Sequence, residues 1–172
     1  MVPETENQRV IYPRVLRASR LWLVAGFLFF SLSGFTQTRS FIQKYRPLAD
    51  SLSVEYGIPA SVILSIAILE SASGTSRNCR LLNNFFGIVG KNNLLKTRGI
   101  KSRYKQYEND TASFVGFCKL QTKKKYYKKL RGNTDYRLWT DAISKSGYSE
   151  VPSIWKKRVN DTIRKNKLSA TR

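Results

Sequence analysis

Eleven carboxylates, nine tyrosines, two cysteines and the lysines must carry any acid–base or nucleophilic chemistry of this chain, because its 172 residues include no histidine. That excludes Ser-His-Asp and Cys-His nucleophile activation and every His-containing metal site. Two thiols cannot complete a four-thiolate zinc site, and there is no glycine-rich phosphate loop, so neither a metal nor an organic cofactor is expected. Among the acids Glu70 stands apart. It follows the nearly continuous apolar run of residues 60–69 (ASVILSIAIL) and precedes Ser71-Ala72-Ser73-Gly74, where a chain can turn sharply and open a cleft. A carboxyl at the end of an apolar helix is partly desolvated, which raises its pKa toward what a general acid near neutral pH requires. An ordinary helix-terminal glutamate has the same pattern, and the pattern alone leaves both readings open.

The elements that must position Glu70 can be read from spacing. Phe41, Tyr45, Leu48, Leu52 and Tyr56 recur at helical intervals up to a stop at Gly57, with Pro47 expected to kink this segment or begin a second helix. Pro59 opens the buried helix that ends in Glu70. Residues 71–84 are rich in Ser, Gly and Asn and read as a loop. Residues 85–107, with Gly87, Gly90 and Gly99 among short apolar patches, suit a small hairpin or irregular β lobe. Asn109 or Asp110 caps a helix through Phe114 and Phe117 that continues over Tyr126, Tyr127 and Leu130. Asp135 caps another, stopped by Gly147, and Pro152 opens a last helix with Trp155, Val159 and Ile163 on one face. No internal repeat is present.

The N-terminus and the charge indicate compartment and partners. Arg14, Arg17 and Arg20 precede the apolar run Leu21 to Phe30, which small and polar residues follow: the pattern of an export signal, cleaved or kept as an anchor. The run is shorter than the ~20 residues of a spanning helix. Residues 1–37 are therefore read as signal peptide or N-terminal membrane anchor, 38–168 as the folded domain and 169–172 as a basic tail. In an oxidising compartment Cys79 and Cys118 either close one disulfide or remain two buried thiols. The net charge of +20 favours polyanions, and the excess lies in residues 91–172, with 22 basic and six acidic side chains. Lys123 to Lys129 (KKKYYKK) has the look of a nucleic-acid patch, but a helix with its tyrosines toward the core and its lysines in water accounts for it better, and export argues against nucleic acid as a partner.

Four words in order widen the reading of Glu70. Gly57-Ile58-Pro59-Ala60-Ser61 leads to Ile68-Leu69-Glu70-Ser71 with Gly74-Thr75-Ser76. Asn83-Asn84-Phe85-Phe86-Gly87-Ile88 follows, then Tyr107 through Ser113-Phe114 and Phe117 to Tyr127, then Gly147-Tyr148 with Pro152 and Trp155. Over residues 40–165 these resemble the glucosaminidase family of peptidoglycan hydrolases, glycoside hydrolase family 73. The resemblance implies an α+β, mostly helical, lysozyme-like domain whose small β lobe flanks a glycan groove. It implies Glu70 as general acid, Tyr148 facing it across the groove, Asn83, Asn84 and Phe86 shaping the groove floor, and Tyr107 stacking on a sugar. The implied partners are peptidoglycan glycan strands and anionic cell-wall polymers, with a membrane engaged only through an uncleaved N-terminal segment, and the implied location is the cell envelope or outside it.

The sequence also departs from the family pattern. Ser65-Ile66 replaces the usual Ala-Gln, Ser73 a Trp and Val151 an Asp, and residues 85–107 hold no Asp or Glu where a two-acid mechanism expects its second carboxylate. Either the substrate's 2-acetamido group attacks the anomeric carbon while Glu70 serves as acid and then base, or Glu108 or Asp110 handles the water. The reading favoured is a substrate-assisted endo-β-N-acetylglucosaminidase. The alternatives are a muramidase or lytic transglycosylase and a catalytically weakened peptidoglycan-binding scaffold.

Overall fold

A computed structural model describes the backbone of residues 19–169 and the side chains of residues 36–169. The chain divides into two units, Met1–Thr36 and Gln37–Arg172. The basic leader and the side chains of the Leu21–Phe30 run lie outside the described residues, as do residues 170–172 of the tail. Among the described residues no helix is long and apolar enough to cross a membrane.

The second unit is built around one buried helix. The chain enters through α1 (Ser19–Tyr56), which keeps Pro47 inside it rather than starting a second helix there. Phe41, Tyr45, Ala49 and Leu52 are buried on both sides of the proline, and that burial offsets the lost backbone bond. After Gly57 and Pro59, α2 (Ala60–Ser71) is buried from Ser61 through Ile68. Its polar residues cost little inside the core, because Ser65 donates to the Val62 carbonyl at 3.1 Å and Ser71 to the Ala67 carbonyl at 2.6 Å. The helix ends where Ala72 and Ser73, two and three residues beyond Glu70, both take left-handed backbone angles, φ 49° and 53°. Non-glycine residues rarely adopt this region, and such strain concentrates beside functional groups.

The segment read as a loop over 71–84 contains a short helix, α3 (Arg77–Leu82), whose N-cap Ser76 accepts from the Cys79 amide. The expected β lobe is reduced to a single antiparallel bridge between Val89 and Tyr104, with α4 (Leu94–Arg98) between its arms. Three backbone bonds join the arms, with the Gly90, Lys105 and Gln106 amides donating to the Arg103, Ile88 and Lys91 carbonyls, and side chains add to them. Asn84 donates to the Ile88 and Lys105 carbonyls at 2.8 and 2.7 Å and accepts from the Ile88 amide, while Asn92 donates to Ser102 and Tyr104. With backbone groups satisfied by Asn, and few β-branched residues in alternation, extended strands gain little.

Asn109 caps α5 (Asp110–Thr122) and Asp135 caps α7 (Tyr136–Ile143), as their residue types predict. The expected continuation of α5 breaks after Thr122, and α6 (Tyr127–Leu130) is a separate turn. Tyr127 is buried and Tyr126 half-buried against Trp139, with Lys123, Lys125, Lys128 and Lys129 in solvent. A π-helical turn, Ser144–Tyr148, leads into α8 (Pro152–Lys165), which packs on α2 through Trp155, Val159 and Ile163. Cys79 and Cys118 are buried free thiols and not a disulfide. Apolar surroundings push them up to about 11 and 12, where they remain unreactive.

Candidate active site

Glu70 lies in the last turn of α2, half-buried. One carboxylate oxygen accepts the indole N–H of Trp155, from the first turns of α8, at 2.8 Å. The other faces Gly87, where a Cβ would come within 3.4 Å of it, and has no hydrogen-bond partner among the described residues. Gly87 also holds φ at 63°, so a side chain there would be strained as well as close. Burial raises the Glu70 pKa above the ordinary carboxylate value, against the opposing Trp155 hydrogen bond and the Arg158 charge. The result is an acid that holds its proton longer than an exposed glutamate, with one oxygen anchored and one open.

Tyr148 stands beside this carboxyl without bonding to it. Its hydroxyl donates to the Phe86 carbonyl at 2.7 Å and its ring lies 5.2 Å from that of Trp155. Burial and then the neighbouring Glu70 carboxylate keep Tyr148 well above the ordinary phenol value, so it remains a neutral donor. Behind it, Phe86 and Phe117 stack at 4.3 Å and Phe86 meets Phe114 edge-on at 5.0 Å, an aromatic wall that fixes the Asn83–Gly87 turn.

The other predicted site residues act from beneath the surface or lie elsewhere. Asn83 closes α3 at φ 51° and donates to the Tyr107 and Glu108 carbonyls. Asn84 and Phe86 are buried at 1%, so they shape the floor by holding its backbone and not by touching a ligand. Tyr107 is only 7% exposed and packs over Gly116, which leaves little ring face for a sugar. Glu108 is exposed. Asp110 is bound to Lys44 and Tyr45 of α1. Burial works against its charge, but those hydrogen bonds outweigh it and hold the carboxyl below its usual range. Asp110 is thus committed to tying α5 to α1. Among the described residues no group of three or more His, Cys, Asp or Glu side chains could hold a metal ion.

Trp155 and Gly87 are the site residues that spacing did not single out. Trp155 shares a face with Val159 and Ile163 and so reads as core, and Gly87 reads as a turn. Both belong to the motif words that carry the family resemblance.

A half-buried glutamate thus closes the central helix of a mostly helical domain of lysozyme-like build, beside the Asn83–Gly87 turn. The family described as mannosyl-glycoprotein endo-beta-N-acetylglucosaminidase matches residues 46–168, and the chain belongs to it. No curated protein matches in sequence. Among solved structures, the catalytic domain of the autolysin Auto from Listeria monocytogenes is similar at 22% identity and a TM-score of 0.65, over 78% of this chain and 86% of that one. The glycoside hydrolase domain of FlgJ from Salmonella typhimurium is similar at 18% and 0.61, over 76% and 97%. A peptidoglycan hydrolase from Sphingomonas sp. A1 is similar at 23% and 0.59, over 77% and 96%. At these identities the likeness is one of fold.

Proposed function

We propose that this chain is an exported peptidoglycan hydrolase that cleaves the glycan backbone between N-acetylglucosamine and N-acetylmuramic acid, with Glu70 as general acid. The observation that carries the reading is the Glu70 carboxyl: raised in pKa by burial, held through one oxygen by Trp155, open at the other beside Gly87. Family membership and the peptidoglycan hydrolases among its structural neighbours support the substrate class. The basic and apolar leader fits a wall substrate, which lies outside the cell membrane.

The step that follows is substrate-assisted. Glu70 gives its proton to the glycosidic oxygen as that C–O bond breaks, and the carbonyl oxygen of the substrate's 2-acetamido group bonds to the anomeric carbon. The Glu70 carboxylate then takes a proton from a water that attacks the same carbon and reopens the ring. The placement of the other acids favours this route, since Asp110 is occupied by Lys44 and Tyr45 and Glu108 faces solvent.

Mass spectrometry of muropeptides released from purified peptidoglycan tests it. Wild type is expected to release fragments with reducing N-acetylglucosamine ends, Glu70→Gln none, and Glu108→Gln and Asp110→Asn most of the wild-type yield. Reducing or 1,6-anhydro N-acetylmuramic acid ends would move the cut to the other bond. A folded Glu108→Gln or Asp110→Asn protein as inactive as Glu70→Gln would sink substrate assistance. Wall binding with no release by wild type would favour a scaffold.

A further inference from the structure

The lobe over residues 85–107 has charge of one sign only. It carries Lys91, Lys96, Arg98, Lys101, Arg103 and Lys105 and no acid. All six are exposed, and none forms an ion pair among the described residues. Acids relieve the charge of α7 and α8, where Asp141 pairs with Lys145 and Lys156 and Asp161 with Lys157 and Arg164, whereas the cluster from Lys123 to Lys129 shares the lobe's lack of ion pairs among the described residues. Unrelieved like charge works against folding, and from residue 87 to 106 Leu94 is the one buried side chain that offsets it. The Asn84 and Asn92 side chains nonetheless tie this segment together through bonds to four carbonyls.

A cleft of about 290 Å³ opens between this lobe and α3. Arg77, Lys101 and Arg103 supply its positive charge, and Leu81, Leu94 and Tyr104 its apolar surface. The Arg103 guanidinium lies over the Tyr104 ring, 5.6 Å from its centre. Glu70 is not among its lining residues, although the lobe is rooted at Gly87 against that carboxyl.

We infer that the cleft between α3 and the cationic lobe is a subsite for the carboxylate-bearing stem peptide of peptidoglycan, reached from a glycan strand held at Glu70. The inference rests on the peptidoglycan reading above. A peptide with free carboxylates and small apolar side chains matches both halves of the lining: guanidinium and ammonium heads for the acids, leucine and tyrosine faces for the methyl groups. A phosphodiester polymer would use the charges and leave the apolar faces idle. The absent lobe acid takes on a meaning of its own, because a carboxylate there would repel the peptide that the six cations attract.

The test measures binding with the full chain carrying Glu70→Gln, so that hydrolysis is not the readout. The probe is a soluble stem tetrapeptide with free carboxylates, set beside the same peptide with its carboxyls amidated, by calorimetry at physiological salt. Amidation is expected to weaken binding at least ten-fold. Arg77→Gln with Lys101→Gln and Arg103→Gln is expected to do the same, while Lys123→Gln with Lys128→Gln and Lys129→Gln, the same charge removed elsewhere, changes it less than two-fold. Equal binding of the two peptides, equal effects of the two triple variants, or equally tight displacement by a glycerol-phosphate oligomer would overturn the subsite. Peptide binding without any muropeptide release from wild type would instead keep the subsite and remove the hydrolase reading.

Discussion

At the scale of single residues, the protonation of Glu70 is a balance of burial against two neighbours. Burial favours the neutral acid, whereas the Trp155 N–H and the Arg158 charge favour the carboxylate. A general acid is active while protonated, so under the proposed role for Glu70 activity on the alkaline side is lost as pH rises through its pKa. Trp155→Phe removes the N–H and keeps a ring against Tyr148. It takes away a contact that stabilises the charged form, so the alkaline limb of kcat/KM is expected to move to higher pH. The freed carboxyl also loses its fixed orientation, and kcat falls by roughly ten-fold. A pH–rate profile on a soluble glycan oligomer checks both, and a limb that stays in place while activity drops would reduce Trp155 to packing.

At the scale of elements, the site is held by close approaches that leave no room for change. The Tyr107 ring lies so near α5 that a Cβ on Gly116 would sit 2.6 Å from it. A mid-helix glycine costs backbone entropy, and here it is needed for helix and loop to touch. Gly116→Ala is therefore expected to destabilise the fold by about 1–3 kcal/mol despite alanine's better helix propensity. Urea denaturation measures this, and Tyr107→Leu added to Gly116→Ala should recover part of the loss. Unchanged or increased stability would mean the ring yields freely. Elements with local signals were legible in the sequence: α2 from its apolar run behind Pro59, α5, α7 and α8 from Asn109, Asp135 and Pro152, and Glu70 from its place at the end of α2. The missed features depend on contacts distant along the chain. The α3 helix hides in a Ser- and Asn-rich run, the lobe is shaped by Asn side chains reaching up to 21 residues ahead, and Trp155 meets Glu70 across 85 residues. No local pattern encodes such pairings.

At the scale of the whole molecule, the charge and the site belong to different ranges of force. The proposed proton transfer by Glu70 works over a hydrogen-bond distance, whereas 22 basic against six acidic residues from 91 to 172 create a field that reaches into solvent. On an insoluble, anionic substrate such a field raises the time the enzyme spends at the surface without altering the bond-breaking step. The Debye length is ~30 Å at 0.01 M salt and ~8 Å at 0.15 M, so this attraction shortens sharply over that interval while the contacts around Glu70 are little screened. Digestion of whole sacculi is expected to slow at least three-fold between those two concentrations, and cleavage of a short uncharged glycan oligomer to change by less than half. Turbidity clearance and oligomer turnover, measured side by side, separate the two effects. Equal salt sensitivity of both substrates would place the screened charges at the catalytic step itself, and salt-independent clearance would deny the basic surface any part in holding the wall.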